Sequence, residues 1–423
     1  KVPELKVAGR TSAAAFRGSE LPLDQIGRRL HVGSLLEGSV RRQGDRVRVS
    51  AQLISTEDGY ELWSERYDRE LDDIFAIQDE IARAVADELS VLLRSEGVRQ
   101  GTDSQEAYEW YLRGRHLLSQ RSDGIDEAKA AFQRALSVDS AFANAYAGLG
   151  HSYLWMGWNN FLPSREAFPE AKRLAKEALQ RDSSLAYAYA MLGAVHLWYE
   201  WDWEAAKQYL QKALEQNPSE AAAYLDLGWV ALIQGQHEEA ISMARRALSI
   251  DPLNLEYSID LADFYRMSGQ MQEAERLAQQ MLAVYPANSE VHWILGNIDY
   301  AQGADEAAVA HFRRAAELSR GEAWANMYLA MALARSGRQA EARTLLGQLE
   351  QQPEVAQSAF AELAPVYWEL GMEEEAMEWL ERACDWHANW MISLQVDPIW
   401  EGMRSHPRFR ALLRKMNFEQ TPF

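Results

Sequence analysis

The chain has 423 residues and a single cysteine, Cys384. A lone cysteine excludes an internal disulfide and any paired-cysteine metal site, and it suits cytoplasm and periplasm alike. Its place beside Ala383 on a helix predicts a buried packing thiol. No run reaches the roughly 18 apolar residues that a membrane span needs, and no signal peptide is recognisable. These absences leave the localisation unknown.

Basic residues are scarce as well. Lysine and arginine total 43 against 63 acidic residues, so the net charge is −20. Phosphate contacts need clustered cations, which argues against nucleic acid as a ligand of this part. One basic cluster stands out, formed by Arg41, Arg42, Arg46 and Arg48. Neighbouring Glu37 and Asp45 favour the solvated face of a hairpin over a phosphate- or partner-binding surface.

Motifs of catalysis are also missing. His237-Glu238-Glu239 lacks the second histidine that a zinc-binding helix needs four residues after its first. Gly148-Leu149-Gly150 is a fragment of a nucleotide-binding loop placed in the middle of a predicted helix, where small residues serve packing. The sequence therefore predicts no enzyme active site, no cofactor and no metal.

A ladder of 34 residues is what the sequence does contain. Its members are Leu227, Leu261, Leu295, Leu329 and Leu363, with Ala240, Ala274, Ala308, Ala342 and Ala376 in step. Apolar residues at helical spacing surround both positions, Gly235 marks a turn between them, and Pro252 ends the unit. A fixed period of this kind predicts helix pairs that stack into a solenoid.

Small residues follow every leucine of the ladder, where a large side chain would hold paired helices apart. They are Gly228, Ala262, Gly296, Ala330 and Ala364. With Tyr224, Ala247 and Pro252, this pattern resembles the tetratricopeptide repeat (TPR). Three earlier units fit with insertions of two, nine and one residues. The resemblance implies a mainly α fold, a right-handed TPR solenoid of about eight pairs over residues 104–391.

Residues 392–423 are predicted to cap the solenoid. Phe409, Leu412, Leu413 and Met416 trace an apolar stripe on a helix whose other side is basic. A terminal repeat would otherwise leave one apolar face in water. A membrane or nucleic-acid helix is the less favoured interpretation, because the surroundings are acidic.

The first hundred residues follow another pattern. Apolar and polar residues alternate between Val40 and Ile54, which predicts a hairpin, and helices are expected at 23–30 and 73–93. The runs AGRTSAAAFRG, LEGSVRRQGDRVRVSAQL and LWSERYDRELDDIFAIQDEI resemble the bacterial TolB-like domain. The resemblance implies a small α/β domain at 1–95, truncated before residue 1, then a linker at 96–103.

The paired resemblance suggests what the chain does. Relatives carry these modules downstream of an output domain, so we expect a non-catalytic interaction and sensory-regulatory region of a multidomain signalling protein. The alternatives are the regulatory half of a class III adenylate or guanylate cyclase, the effector region of a winged-helix regulator of the CadC type, and association with a kinase. Neither partner, signal nor oligomeric state can be read from the sequence.

The concave groove of the repeats is the expected site for a protein or peptide partner. Groove positions of the TPR family correspond here to His151, Trp155, Asp226, Trp229, Asp260, Asp263, Arg266, Trp293, Asn297, Tyr300, Tyr328 and Met331. The set is acidic and aromatic, and it lacks the cations of the carboxylate-clamp subfamily. The nine-residue insertion predicts a long loop in the second repeat, with Trp158 and Phe161 as further candidate contacts.

Tryptophans cluster beside the third repeat. Trp198, Trp201 and Trp203 allow two interpretations, an aromatic ligand site or packing in the space created by the irregular spacing. Packing is the preferred one. Specific recognition is nevertheless expected where the ladder is interrupted.

Overall fold

The structure is a computed structural model. It describes residues 7–19, 21–43, 46–57, 59–70, 77, 80, 81, 84, 85, 101–118, 124–352, 355 and 361–418.

A three-stranded antiparallel sheet begins the fold. Helices α1 (Arg10–Ala14) and α2 (Leu23–Leu30) precede strands β1 (Ser34–Gln43), β2 (Arg46–Ser55) and β3 (Glu61–Glu70), in the order β1-β2-β3. The predicted hairpin is confirmed, with Val40 opposite Val49. Val47, Val49 and Tyr67 bury one face of the sheet together with Ile77. The rest of the helix predicted at 73–93, like most of the linker, lies largely outside the described residues.

Helix α1 is anchored to the fourth helix pair of the repeats. The hydroxyl of Ser12 donates to Asp251, and it accepts from the backbone amide of Leu253 at 2.7 Å. The amide of Gly9 donates to the carbonyl of Ile250 at 2.6 Å. The N-terminal residues thus contact the middle of the repeat array.

Within the described residues from 105 onward, the helices form eight antiparallel pairs, as predicted. In chain order they are α3 (Gln105–Leu118) with α4 (Ile125–Val138), α5 (Ala143–Trp158) with α6 (Ser164–Arg181), α7 (Ala186–Val195) with α8 (Trp203–Gln216), α9 (Ala221–Ile233) with α10 (His237–Ile250), α11 (Leu255–Met267) with α12 (Met271–Val284), α13 (Ser289–Ala301) with α14 (Asp305–Leu318), α15 (Ala323–Arg335) with α16 (Gln339–Leu349), and α17 (Leu363–Glu369) with α18 (Glu373–Asp385). Successive pairs stack on one another. We number them repeats one to eight.

The two helices of a repeat differ in how they are buried. Helix α9 is buried on nearly every side, whereas α10 buries one stripe formed by Ala240, Ile241, Ala244, Ala247 and Ile250. A helix that is apolar all round needs covering on two sides. The first helices of the repeats therefore form an inner layer, and their inner face must be covered by another part of the chain.

The small residues of the ladder permit this packing. A Cβ atom built on Gly228 would lie 2.7 Å from Cε2 of Phe264 and 3.1 Å from the carbonyl oxygen of Ala240. Ala262, Ala330 and Ala364 are fully buried. The predicted close approach is confirmed.

The insertions of the second and third repeats are absorbed by helices. The second repeat has helices of 16 and 18 residues, against 13 and 14 in the fourth, and only residues 159–163 connect them. The expectation of a long loop there was wrong, because most of the inserted residues extend the two helices. The two extra residues of the first repeat fall at 119–123, outside the described residues.

The single extra residue of the third repeat produces a π-helix, His196–Glu200, at the end of α7. A π-helix takes up one residue more per turn than an α-helix, so the insertion widens one turn without displacing the helices on either side. Trp201 follows in the left-handed region with φ of 54°. The equivalent residue of the fourth repeat is Gly235, with φ of 73°.

The chain after repeat eight returns into the solenoid. Two 3₁₀-helices, Asn389–Ser393 and Pro398–Met403, lead to α19 (Pro407–Lys415), which packs against α18. The predicted apolar stripe of α19 is buried. Beyond it, the carbonyl of Asn417 accepts from Nε1 of Trp203 at 3.1 Å. The C-terminal residues thus reach repeat three instead of covering repeat eight alone.

Candidate functional site

The predicted groove residues all lie on first helices of repeats, and most are buried. Buried side chains are Asp226, Trp229, Asp263, Arg266, Asn297, Tyr300, Tyr328 and Met331. His151, Trp155, Asp260 and Trp293 are half-buried. The structure thus brings these positions onto one inner face, and their role as partner contacts stays a prediction.

Residues 387–403 cover that face, and we call them the C-terminal segment. The ring centroid of Trp390 lies 5.8 Å from that of Trp198, 6.3 Å from Trp229 and 6.4 Å from Trp293. The contacts with Trp198 and Trp229 are edge-to-face, an arrangement favoured by aromatic pairs. Trp390 therefore anchors the segment on repeats three, four and six.

An arginine and two aspartates form the polar centre of the groove. Nη1 and Nη2 of Arg266 donate to the two oxygens of Asp397, both at 2.8 Å, and Nε donates to Asp263 at 2.7 Å. Burial raises the pKa of Asp263 to about 6, although the charge of Arg266 opposes this. Burial acts to lower the pKa of Arg266, but the two neighbouring carboxylates outweigh this effect and raise the pKa above its usual value. The guanidinium thus stays charged and holds the C-terminal segment bidentately.

Buried carboxyl groups flank this centre. Asp226 accepts from Nε1 of Trp198 at 3.1 Å, and burial raises the pKa of Asp226 to about 7. Burial also raises the pKa of Glu362 to about 7. At the far side, Tyr300 donates to Glu369 at 2.7 Å. The groove therefore combines aromatic anchors with acidic groups, as the sequence predicted.

Comparison with known proteins identifies the kind of repeat that forms this architecture. Family profiles described as tetratricopeptide repeat match residues 191–254, 231–298 and 358–389. The chain carries tetratricopeptide repeats. The protein described as Putative adenylate cyclase 3 of Rhizobium meliloti (strain 1021) is 39% identical over 155 residues, which cover 35% of this chain and 26% of that protein. The chain thus matches about a quarter of the length of that relative.

Two solved structures are similar to this chain at low sequence identity. Cut9-Hcn1 of the APC/C gives a TM-score of 0.49 at 16% identity, covering 80% of this chain and 60% of that one. Yeast Tom70 gives 0.47 at 18% identity, covering 81% and 75%.

The N-terminal end of the TPR groove is built differently. The His151 ring lies 5.3 Å from that of Tyr187 and edge-on to Trp158, and burial lowers the pKa of His151 to about 4. Trp155 stacks on Phe161, whose side chain is 52% exposed. The structure thus separates the two insertion candidates, because the carbonyl of Trp158 accepts from Asn389 inside the groove while Phe161 faces solvent.

The sequence missed the residues that fill the groove. Trp390 and Asp397 lie outside the 34-residue ladder, so no repeat position identified them. The available signal was Arg266, a cation at an inner helix position, which needs buried carboxylate partners. Asp263, one turn earlier on the same helix, supplies one of them. Only the tertiary structure shows that Asp397 supplies the other, 131 residues later.

Other candidate chemistry is sparse in the described part of the chain. Cys384 is buried as predicted, and burial raises the pKa of its thiol to about 11, which leaves it unreactive. None of the described residues form a group of three or more side chains suited to hold a metal ion. Among the described helices, none has both the length and the hydropathy of a membrane span.

Proposed function

We propose that this chain is a protein-interaction and sensory-regulatory module whose inner groove receives a segment of a partner protein. The observation that carries the proposal is the occupied groove itself. Residues 387–403, which include two short 3₁₀-helices, are held there through Trp390 and Asp397 rather than through repeat packing. A surface that holds one such segment has the chemistry to hold another.

The types of contact favour a protein partner over a small molecule. Tryptophan, tyrosine and arginine dominate the energetics of protein interfaces, and all three line the groove. Trp229, Arg266 and Tyr300 come from three successive repeats, so the surface is long enough for an extended segment. The C-terminal segment occupies the place of the partner and must move for the partner to enter.

We propose that the whole protein is a nucleotide cyclase and that this chain is its regulatory half. In this proposal residues 1–95 form a TolB-like module beside the repeats. The relative described as a putative adenylate cyclase supports this choice over a transcriptional regulator. In this scheme, binding in the groove changes the contact between the repeats and the output domain. The anchoring of Ser12 on Asp251 supplies a physical connection between the N-terminal module and the repeats.

Reading the coding DNA upstream of Lys1 tests this proposal. We expect a class III cyclase domain in the same frame, and a winged helix or a kinase domain would contradict the assignment. The encoded domain is then purified and added to this chain while hydrogen exchange is followed. We expect altered exchange in the inner helices of repeats three to six, and unchanged exchange throughout would contradict a regulatory contact.

A further inference from the structure

A cavity of about 480 Å³ lies where the turns of repeats three and four meet the end of the chain. Its walls include Glu200, Trp201, Asp202, Trp203, Glu204 and Phe418. It is separate from the groove centre at Arg266, and it lies where the single inserted residue interrupts the ladder. Gln395 of the C-terminal segment borders it as well.

The backbone at this cavity is strained. Repeat four has Gly235 in the left-handed conformation before its second helix, and repeat three has Trp201 in the same conformation. A bulky residue rarely adopts this conformation, and strain of this kind is concentrated at binding and catalytic sites. The π-helix directly before it is another feature frequent at functional sites.

Aromatic rings form one side of the cavity. The ring centroids of Trp203 and Phe418 are 5.4 Å apart. Trp201 is only 3% exposed and stacks on His387, with centroids 4.4 Å apart. Within the described residues, the buried indole Nε1 of Trp201 has no hydrogen-bond partner. The wall thus consists of buried aromatic side chains and includes one donor without a partner among the described residues.

Carboxylates form the other side. Glu200 is paired with Lys172 at 2.6 Å. Asp202 and Glu204 form no ion pair with any described lysine or arginine, and the nearest basic group to Asp202 is His196 at 3.9 Å. Burial lowers the pKa of His196, which favours its neutral form at pH 7. Both carboxylates therefore lie beside the aromatic wall without an ion pair to a described lysine or arginine, and Asp202 also caps α8 by accepting from the amide of Ala205.

We propose that this cavity binds the guanidinium group of an arginine side chain from a partner protein. A planar guanidinium stacks on aromatic rings and donates to carboxylates at the same time, whereas an ammonium group does so less well. The peptide carbonyl beside that arginine is a suitable acceptor for Nε1 of Trp201. This inference rests on the proposed interaction function and assigns it a specific contact outside the groove.

Titration of the full chain with small probes tests the site by calorimetry. The probe is N-acetyl-arginine amide, and its uncharged isostere N-acetyl-citrulline amide is the comparison. We expect saturable binding of the arginine probe, at least tenfold tighter than that of the citrulline probe. Equal binding of the arginine and citrulline probes overturns the proposal.

Two variants locate the binding. Asp202→Asn keeps the side-chain oxygen that accepts from the amide of Ala205, so the start of α8 is preserved. Together with Glu204→Gln it should weaken the arginine probe about tenfold or more. The matched control is Glu306→Gln, at the equivalent position of α14, which should leave binding unchanged. Unchanged binding in the double variant contradicts the arginine site. The proposed function of the groove is tested separately, by the hydrogen-exchange experiment.

Discussion

At the scale of single residues, charged groups in the inner layer decide how the groove is filled. Arg266 is 1% exposed, and both of its guanidinium edges are bonded to carboxylates. An unpaired cation at this depth would cost several kcal/mol, so Asp397 is needed once Arg266 is there. The sequence identified Arg266 as a groove residue, but its long-range partner depends on how the chain returns.

Asp226 gives a residue-scale prediction on pH. Its pKa in the folded protein is raised to about 7 by burial, whereas an unfolded aspartate titrates near 4. Between about pH 4 and 7 the folded state keeps a proton that the unfolded state has lost. The contribution of Asp226 to stability therefore falls as the pH rises through this window and stays constant above it.

The variant Asp226→Asn keeps the oxygen that accepts from Trp198 and removes the titration. We expect it to raise the free energy of unfolding at pH 8 by about 1–3 kcal/mol and to change it little at pH 4. Urea denaturation at the two pH values measures this, with the exposed Glu306→Gln as control. Equal stability of variant and wild type at pH 8 would show that Asp226 is not buried as described.

At the scale of helices, the ladder predicted the pairs because each pair repeats the same local physics. Apolar spacing, turn glycines and small contact residues all recur. A helix that is poorly predicted in one repeat can therefore be placed from the same positions in the next repeat. The π-helix at His196–Glu200 was not predictable in the same way. The count showed one extra residue, but whether it lengthens a turn or widens a helix depends on the packing of Trp198 and Trp201.

Ala274 tests the helix contact of repeat five. It is fully buried on α12, and a leucine there would overpack the interface with α11. We expect Ala274→Leu to lower the free energy of unfolding by about 1–3 kcal/mol. Ala283→Leu, at an exposed position of the same helix, should have little effect. Thermal or urea denaturation measures both, and an unchanged midpoint for Ala274→Leu would contradict the register.

At the scale of the whole molecule, the solenoid is closed by its own chain. The C-terminal segment connects repeat eight with repeats two to six, through Asn389 bonded to Trp158 and Asp397 bonded to Arg266. The sequence predicted a cap because a cap needs only an amphipathic helix. Occupation of the groove could not be predicted, since it depends on the curvature that eight stacked pairs produce together.

Closure also leaves some features of the molecule covered and others accessible. The groove centre is covered, whereas the exposed Phe161 and the cavity beside Trp201 remain accessible in the described structure. Both accessible features lie in repeats two and three, where the spacing departs from 34 residues. Trp229 and Arg266, which contact the C-terminal segment, belong to the regular repeats four and five.

Hydrogen exchange of residues 387–403 tests the occupied groove most directly, in the wild type and in Asp397→Asn. We predict that wild-type amides of Leu394, Asp397 and Trp400 exchange as slowly as those of the inner helices, because they are bonded and buried. In Asp397→Asn, loss of the buried ion pair should speed exchange in the segment at least tenfold while the inner helices stay protected. The control is Glu273→Gln, which removes a solvent-exposed ion pair with Arg276. Exchange of the wild-type segment at the rate of an unstructured chain would contradict the account.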